Sequence, residues 1–357
     1  MHTLKALFAL TAATALTACG GGGGDSPPPP PAPAPTPVPT PPPPPPTPGV
    51  GVNGTLQTSV ANPNYGDQRR KAAFNQLNAA RLGAGAGLLA QSAALDASAS
   101  GHAQYLTDNG YNSSDSPHDE TAGLPDYIGH NPFTRMQAEG YDYSYATEVI
   151  GDIGSSSSSS DCVGDLLDTV YHAASMLSRV TDVGFGYGGG TAAGMCTIDM
   201  GSPLNGGAAK QIPPSGAIVA YPSNGSTVAH GTFHASNESP RVSTSLIPTN
   251  DAGVPIIIGF RNQDVVAGGV VSISQFTLAT ASGTAVPGVI LGATAAGNSA
   301  AVGGNNVNAD ANLDTSFAVF VPKSPLAAGT YTVTLHATIT GGQALALSTW
   351  TFTVAAP

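Results

Sequence analysis

The chain is poor in charged residues, in aromatic residues and in cysteine. Lys and Arg number 11 and Asp and Glu number 22 among 357 residues, so that 9% of the chain is charged and the net charge is -11. It therefore lacks the clustered basic residues that bind a nucleic-acid backbone or an anionic membrane surface. Hydrophobic residues still make up 41% of the chain, which is enough for a core, and the length allows two ordinary domains beside a tail. Low charge with abundant Gly, Ser and Thr is more typical of exported β-rich proteins than of cytosolic enzymes.

Long apolar runs are also absent, because the one at the N-terminus is too short to span a bilayer. Residues 1–18 read as a secretory signal, with Lys5 before an apolar run over residues 6–16. The run ends in Leu-Thr-Ala-Cys19-Gly20, which resembles a bacterial lipobox and predicts lipidation of Cys19. Lipid chains would anchor the protein without a transmembrane helix, and Gly20 is compatible with delivery to the outer membrane of a Gram-negative bacterium. The alternative is an ordinary signal peptide with a chance cysteine.

Residues 19–60 are predicted to form a tether. The stretch 27–48 holds 16 of the 31 prolines in the chain. Such a run cannot pack, and as extended polyproline II it rises about 3.1 Å per residue, placing the folded part on the order of 80 Å from the lipid. A proline-rich ligand for a signalling domain is the alternative, and it fits poorly outside the cytosol.

A first globular domain is predicted over residues 61–204, and its early part is helical. The caps and apolar spacing predict helices from Asp67 to Leu82, from Ser92 to Thr107 and from Asn131 to Gly140. His102 recurs with the apolar residues of the second helix, so it lies on the buried stripe. We interpret it as a hydrogen-bonded core histidine rather than as a ligand.

A fourth helix is predicted to start at about Asp161 and to run past His172. Its apolar residues form one stripe, and Asp165, Asp168 and His172 fall on the opposite face. Asp168 and His172 are four residues apart, so they would be neighbours on that face of a continuous helix.

Two strands, residues 182–187 and 195–200, are predicted to close the first domain. Cys162 lies at the start of the fourth helix and Cys196 on the last strand. With Cys19 committed to lipid, these are the two cysteines left in an exported protein, where disulfides persist. They are predicted to form a disulfide that joins the helix to the strand.

The remainder of the chain reads as all-β. Residues 205–214 are rich in Gly, Ala and Pro and are predicted to be a linker. From residue 215 to residue 357, short runs alternate apolar residues with Thr and are separated by turn signals, which predicts an immunoglobulin-like β-sandwich. It has no cysteine and no cluster of His with carboxylates. His230 and His234 are interpreted as incidental.

The first domain resembles the CAP superfamily, the group of cysteine-rich secretory, antigen 5 and pathogenesis-related 1 proteins, also called SCP-like. The likeness covers about residues 65 to 202. It depends on the order of five features: Phe74 to Arg81, Leu95 to Leu106, Ser116-Pro117-His118, Thr147-Glu148-Val149-Ile150, and His172 followed by Asp182 to Tyr187. The resemblance implies an α-β-α sandwich, so that the fold class of the whole chain is α+β, a CAP domain followed by a β-sandwich.

The resemblance also implies a cleft with two histidines and two acids, which in several members of the family bind a divalent metal such as zinc. His118, Glu148 and His172 match three of these positions. Leu166 stands where many members have Trp, and Thr169 stands where they have the second acid. Asp168 and Glu120 are the candidates for the fourth group. The alternative without metal is a hydrogen bond between Glu148 and His172 that fixes the helix against the sheet.

These features favour a lipoprotein anchored to the cell envelope, whose cleft binds a small molecule, a lipid or an extracellular protein. The chain has no Gly-x-Ser-x-Gly elbow, no His-Glu-x-x-His helix and no reactive cysteine, so the prediction names no catalytic residue. The alternative is a metal-dependent hydrolase acting on envelope or extracellular polymers. A third reading makes the β-sandwich the adhesive part. A monomer is expected, with no nucleic-acid partner.

Overall fold

The computed structural model describes residues 55–110, 116–153, 161–189, 194–205, 210–261, 270–294, 302–339, 343–345 and 348–356. The predicted signal peptide, Cys19 and the tether up to residue 54 lie outside the described residues. Within the described part, no helix has the length and apolarity that crossing a membrane requires.

The first domain stacks helices on a four-stranded sheet with the order β1-β3-β4-β2. The helices are α1 (Gln68–Ala84), α2 (Ala93–Asn109), α3 (Pro132–Ala138), α4 (Cys162–Leu167) and α5 (Tyr171–Met176). The strands are β1 (Ala90–Gln91), β2 (Tyr143–Ile153), β3 (Asp182–Tyr187) and β4 (Gly194–Pro203). β1 runs parallel to β3, whereas the β3–β4 and β4–β2 pairs are antiparallel.

The first three helices begin where the caps predict. The side chains of Asp67 and Ser92 accept hydrogen bonds from the N–H groups of Arg69 and Leu95, and Asn131 forms a capping box with Thr134. Each of these bonds satisfies an N–H group that the helix itself leaves unpaired.

Helix α2 lies directly on the sheet because two glycines of β3, Gly184 and Gly186, lie beneath it. A Cβ atom at Gly184 would lie 2.1 Å from the carbonyl carbon of Leu95, and one at Gly186 would lie 2.0 Å from the carbonyl oxygen of Ala99. Only glycine allows so close an approach. Asp199 on β4 pairs in register with Gly184, so it lies on the same face of the sheet, and it is completely buried.

The prediction of one continuous fourth helix is wrong. Helix α4 ends at Leu167 and α5 begins at Tyr171. The backbone N–H groups of Val170 and Tyr171 bind the carboxylate of Glu238, which belongs to the second domain. This contact from a distant part of the chain takes the place of helical hydrogen bonds, and so Asp168 and His172 are not neighbours on one helix face.

The predicted disulfide is confirmed. Cys162 and Cys196 are bonded, with their Cα atoms 6.4 Å apart. The bond joins the first residue of α4 to β4, and both cysteines are buried.

The second domain consists of two facing sheets and a small hairpin, in keeping with the predicted β-rich C-terminal part. Its strands are β5 (Ile218–Tyr221), β6 (Thr227–Val228), β7 (Thr232–His234), β8 (Asp251–Gly253), β9 (Ile256–Phe260), β10 (Val271–Thr280), β11 (Ala285–Val286), β12 (Gly288–Ala293), β13 (Val302–Gly304), β14 (Val307–Asp310), β15 (Phe317–Pro322), β16 (Gly329–Ile339), β17 (Gln343–Ala344) and β18 (Thr349–Val354). One sheet has the order β11-β10-β16-β18-β6, with β13 beside β10 and β17 beside β16, and the other has the order β14-β12-β15-β9-β5. Strands β7 and β8 form the hairpin. A short 3-10 turn, Ala235–Asn237, follows β7.

The two domains share one apolar core. Val170, Ala174 and Leu177 of the first domain belong to the same buried cluster as Ile218 and Ile257 of the second. All the described residues accordingly fall within one compact unit.

The ends of the predicted linker and of the predicted tether are packed. Gln211 is buried, accepts a hydrogen bond from the N–H of Gln57 at 2.8 Å and donates one to the carbonyl of Leu88 at 2.6 Å. Thr55 pairs with Ile212 in an antiparallel bridge. The part of the linker that the structure describes, residues 205 and 210–214, is therefore fixed to the first domain.

Candidate functional site

His118 and Glu148 are brought together from distant parts of the chain, as the resemblance implies for the first histidine and the strand acid. Strand β2 holds Glu148, whose side chain is fully buried, and the loop after α2 carries His118, whose side chain is 28% exposed. The Nδ1 atom of His118 lies 2.8 Å from Oε1 of Glu148. Because a carboxylate can only accept, the Nδ1 atom carries the proton of this hydrogen bond.

Arg135 on α3 is the third member of this cluster. Its guanidinium is completely buried and donates from Nη2 to both Glu148 oxygens, at 2.9 Å and 2.7 Å. It also donates from Nη1 to the carbonyl oxygen of His118 at 2.9 Å. One side chain thus holds both the acid and the loop that carries the imidazole. We name the set His118–Glu148–Arg135 the imidazole cluster.

The charge state of Glu148 follows from these contacts. Burial alone would raise the pKa of this carboxyl, but the hydrogen bond from His118 and the charge of Arg135 outweigh burial and lower the pKa to about 2. Glu148 is therefore ionised at neutral pH.

Asp199 lies opposite Glu148 on β4, in direct cross-strand register. Its carboxyl is fully buried, and its oxygens accept no hydrogen bond from the described residues. Burial and the neighbouring Glu148 carboxylate raise the pKa of Asp199 well above its ordinary value. A proton held by Asp199 removes the repulsion between the two buried carboxyls.

Glu120, one candidate for the fourth acid, is occupied by structural contacts. It is 1% exposed, and its Oε1 lies 2.9 Å from Nδ1 of His102 while its Oε2 accepts the N–H groups of Ile128 and Gly129. The other nitrogen of the His102 ring binds the carbonyl oxygen of Pro117 at 3.0 Å. His102 is fully buried, as its position on the helix stripe predicts, and together with Glu120 it fixes the loop that carries His118.

The structure gives His172 and Asp168 other partners than those expected. The Nδ1 atom of His172 lies 3.2 Å from Oγ1 of Thr169 and 3.4 Å from Oε1 of Glu238. Asp168 forms a contact of 3.1 Å with His230 of the second domain. Burial raises the pKa of Asp168 to about 7, although the hydrogen bond with His230 opposes this rise.

The predicted zinc set is not assembled in this arrangement. Within the described residues, no three His, Cys, Asp or Glu side chains are grouped so that they could hold one metal ion. Both oxygens of Glu148 already bind Arg135, whereas a zinc ligand offers a lone pair to the metal. The geometry therefore gives no support to zinc at His118, Glu148 and His172. A bound metal stays a prediction, and metal analysis of the purified protein would test it.

Three residues of these clusters were not predicted from the sequence. Arg135 is one of only 11 basic residues, and its position between the two predicted site residues His118 and Glu148 was the available signal. Asp199 is the one charged residue of strand β4, which also indicated a special role. Glu238 had no such signal, because its partner lies in another domain.

A sheet covered by helices, with a strand glutamate bound to a loop histidine, is the arrangement of a CAP-type domain. The match to known families agrees: residues 74–200 match the family described as CAP, Cysteine-rich secretory protein family. The N-terminal domain of this chain belongs to that family.

Comparisons beyond the family add little. Two solved structures are similar to part of the chain, those of PcoC, a methionine-rich copper resistance protein from Escherichia coli, and of its selenomethionine form. Each is 19% identical and matches 38% of this chain with a TM-score of 0.21, covering 92% and 94% of the respective PcoC chain. Likeness at this level carries no functional argument. No curated protein matches the chain.

Proposed function

We propose that this protein is an exported module, anchored to the cell envelope, which binds a ligand at the exposed edge of the imidazole cluster and has no catalysis of its own. The observation that carries the proposal is the pairing of a partly exposed His118 ring with a buried, ionised Glu148. Burying the ion pair between Glu148 and Arg135 costs desolvation free energy. We attribute the presence of the pair to its role in fixing another group. That group is the His118 ring, which solvent reaches.

The chemistry of the ligand follows from the orientation of the imidazole. The Nδ1–H of His118 is directed to Glu148, so the neutral ring offers Nε2 as a hydrogen-bond acceptor. Among the described residues, Nε2 has no partner. A ligand with a hydroxyl or amide N–H group suits this acceptor, whether it is a small molecule, a lipid headgroup or an extracellular protein.

The test is a binding measurement on matched variants of the full chain. A thermal-shift screen against envelope lipids, fatty acids and glycans selects ligands, and calorimetry then compares the wild type with His118→Ala. Affinity should fall at least about tenfold, the effect of losing one hydrogen bond worth about 1.4 kcal/mol. The control is His234→Ala, which removes an exposed imidazole paired with Asp251 in the second domain. Equal affinity of the wild type and His118→Ala would show that the imidazole cluster is not the binding site.

The anchor is the part of the proposal that depends on sequence alone. A lipidated Cys19 places the protein at the outer membrane, displayed on the proline-rich tether. Labelling of cells with a palmitate analogue should mark the wild type and not Cys19→Ser. Release of the unlabelled variant from the membrane fraction would follow, because lipid chains supply the binding energy.

A second candidate function is the metal-dependent hydrolase. One observation favours it, since an imidazole oriented by a carboxylate is the arrangement that a general base requires. It predicts that turnover of envelope or extracellular polymers is abolished by a chelator and by Glu148→Gln. Turnover that is indifferent to both treatments would remove this candidate.

A further inference from the structure

The surroundings of His172, the second histidine that the family resemblance matches, come from two domains. Glu238 follows the 3-10 turn of the C-terminal domain and is 3% exposed. Its carboxylate accepts the backbone N–H of Val170 at 3.0 Å, that of Tyr171, and that of His172 at 3.1 Å. A single side chain of the second domain therefore fixes the three residues at which α5 begins.

The same carboxylate also contacts the His172 ring. Oε1 of Glu238 lies 3.4 Å from Nδ1 of His172. Among the described residues no Lys or Arg forms an ion pair with Glu238, so the ring is the one side chain in that contact able to carry a compensating positive charge. The His172 side chain is 13% exposed.

The tautomer of His172 follows from the hydrogen bonds around it. The hydroxyl of Thr169 donates its single proton to the carbonyl oxygen of Leu166 at 2.7 Å. Toward Nδ1 of His172 this hydroxyl can therefore only accept, and Glu238 can only accept as well. The Nδ1 atom must carry the proton, and Nε2 is left with a lone pair, as in His118.

Other contacts show that the domain supplying Glu238 is held firmly at this place. The hydroxyl of Tyr171 donates to Asp310 of the second domain at 2.7 Å. Val170 and Ala174 on either side are buried in the core that both domains share. Because interiors are closely packed, such a junction transmits position rather than allowing free rotation.

We propose that the C-terminal domain fixes the second matched histidine of the CAP domain, with Glu238 as the positioning residue for His172. The proposal goes beyond the function proposed above, which concerns the ligand at His118. Each of the two histidines then has its Nδ1 directed to a glutamate. One glutamate comes from strand β2 and the other from the second domain.

The test is nitrogen NMR of the full chain with ¹⁵N-labelled histidine, at a pH where the rings are neutral. In the wild type, His172 should be the Nδ1–H tautomer. In Glu238→Ala, where only the Thr169 hydroxyl remains as an acceptor for Nδ1–H, the share of the Nε2–H tautomer should rise, and the amide resonances of residues 170–172 should move. Glu238→Gln keeps one carbonyl acceptor and should restore both signals, which a loss of packing would not do.

The control is Asp251→Ala, which removes the carboxylate 2.8 Å from Nδ1 of His234 in the second domain. It should alter His234 and leave His172 unchanged. An Nε2–H tautomer of His172 in the wild type overturns the proposal. This outcome is measured on the wild type alone, so it remains available if Glu238→Ala does not fold. An unchanged tautomer in Glu238→Ala overturns it too. Neither result depends on a ligand, so failure here is distinct from failure of the His118→Ala binding test.

Discussion

At the scale of single residues, Glu148 and Asp199 are two buried carboxyls that the fold treats in opposite ways. Arg135 and His118 hydrogen-bond to Glu148 and keep it ionised, whereas Asp199 has no cation of its own and faces the charge of Glu148. The sequence indicated Glu148 through the family resemblance. It could not show the proton on Asp199, because that depends on a cross-strand neighbour about 50 residues away in the chain.

The first residue-scale prediction concerns that proton. At pH 7 the infrared spectrum of the protein should contain the carbonyl band of protonated carboxylic acids. Asp199→Asn should remove the part of this band that Asp199 contributes and leave the part from Asp168, whose pKa is about 7. The reason is the raised pKa of Asp199. The control is Asp251→Asn, which changes a mostly exposed carboxylate and should leave the band in place. Absence of the band in the wild type would show that both carboxyls are ionised.

The second residue-scale prediction concerns Arg81, which is completely buried. Its guanidinium donates to five backbone carbonyl oxygens, two just after α1 and three at or just after the end of α5. These are the carbonyls of Ala86, Gly87, Met176, Ser178 and Val180. Burial lowers its pKa to about 9. Arg81→Leu should lower the free energy of unfolding by about 3 kcal/mol or more, because buried acceptors lose their donor. Urea denaturation measures the change, and Lys71→Leu, on an exposed position of the same helix, should stay within about 0.5 kcal/mol.

At the scale of elements, the interruption between α4 and α5 separates what sequence patterns can show from what they cannot. The apolar stripe correctly placed helical structure on both sides of residues 168–170. A hydrophobic period, however, contains no information about a carboxylate such as Glu238 arriving from another domain. The helices capped by Asp67, Ser92 and Asn131 could be predicted because each capping residue directly precedes its helix in the sequence. The disulfide between α4 and β4 could be predicted because few cysteines were available to pair.

The prediction at this scale concerns Asp168, at the end of α4. Burial raises its pKa to about 7 in the folded protein, from the 3.8 of an aspartic acid side chain in water. The native state therefore holds a proton that the unfolded chain releases, so the contribution of Asp168 to stability is full below about pH 4 and is lost as the pH rises through 7. The difference in unfolding free energy between Asp168→Asn and the wild type should shift in favour of the variant between about pH 5 and pH 8. A difference that is constant over this range would contradict the raised pKa.

At the scale of the whole molecule, the chain divides into two folds but not into two independent bodies. The two folds could be predicted from the change of periodicity near residue 215. Their common core could not, because Val170 and Ala174 appear in the sequence as an ordinary apolar helix face. The β-sandwich is accordingly not a separate body, because one of its sides completes the core of the first domain.

The corresponding prediction is that the full chain unfolds in a single cooperative transition. Calorimetry should give equal calorimetric and van't Hoff enthalpies, which is the test of two-state behaviour. Ala174→Glu places a charge in the shared core and should separate the two transitions or lower the melting temperature by several degrees. Ala72→Glu, on an exposed position of α1, should do neither. Two resolved transitions in the wild type would show that the domains unfold independently.

The bridge between Thr55 and Ile212 decides where a pulling force would enter the protein. Thr55 is the first described residue and lies within the predicted tether, and Ile212 lies within the predicted linker. If the protein is anchored through Cys19 as proposed above, a pull on the anchor reaches the folded part at this backbone pair. The two hydrogen bonds of the bridge, each 2.9 Å long, would pass that load to the predicted linker, which precedes the second domain.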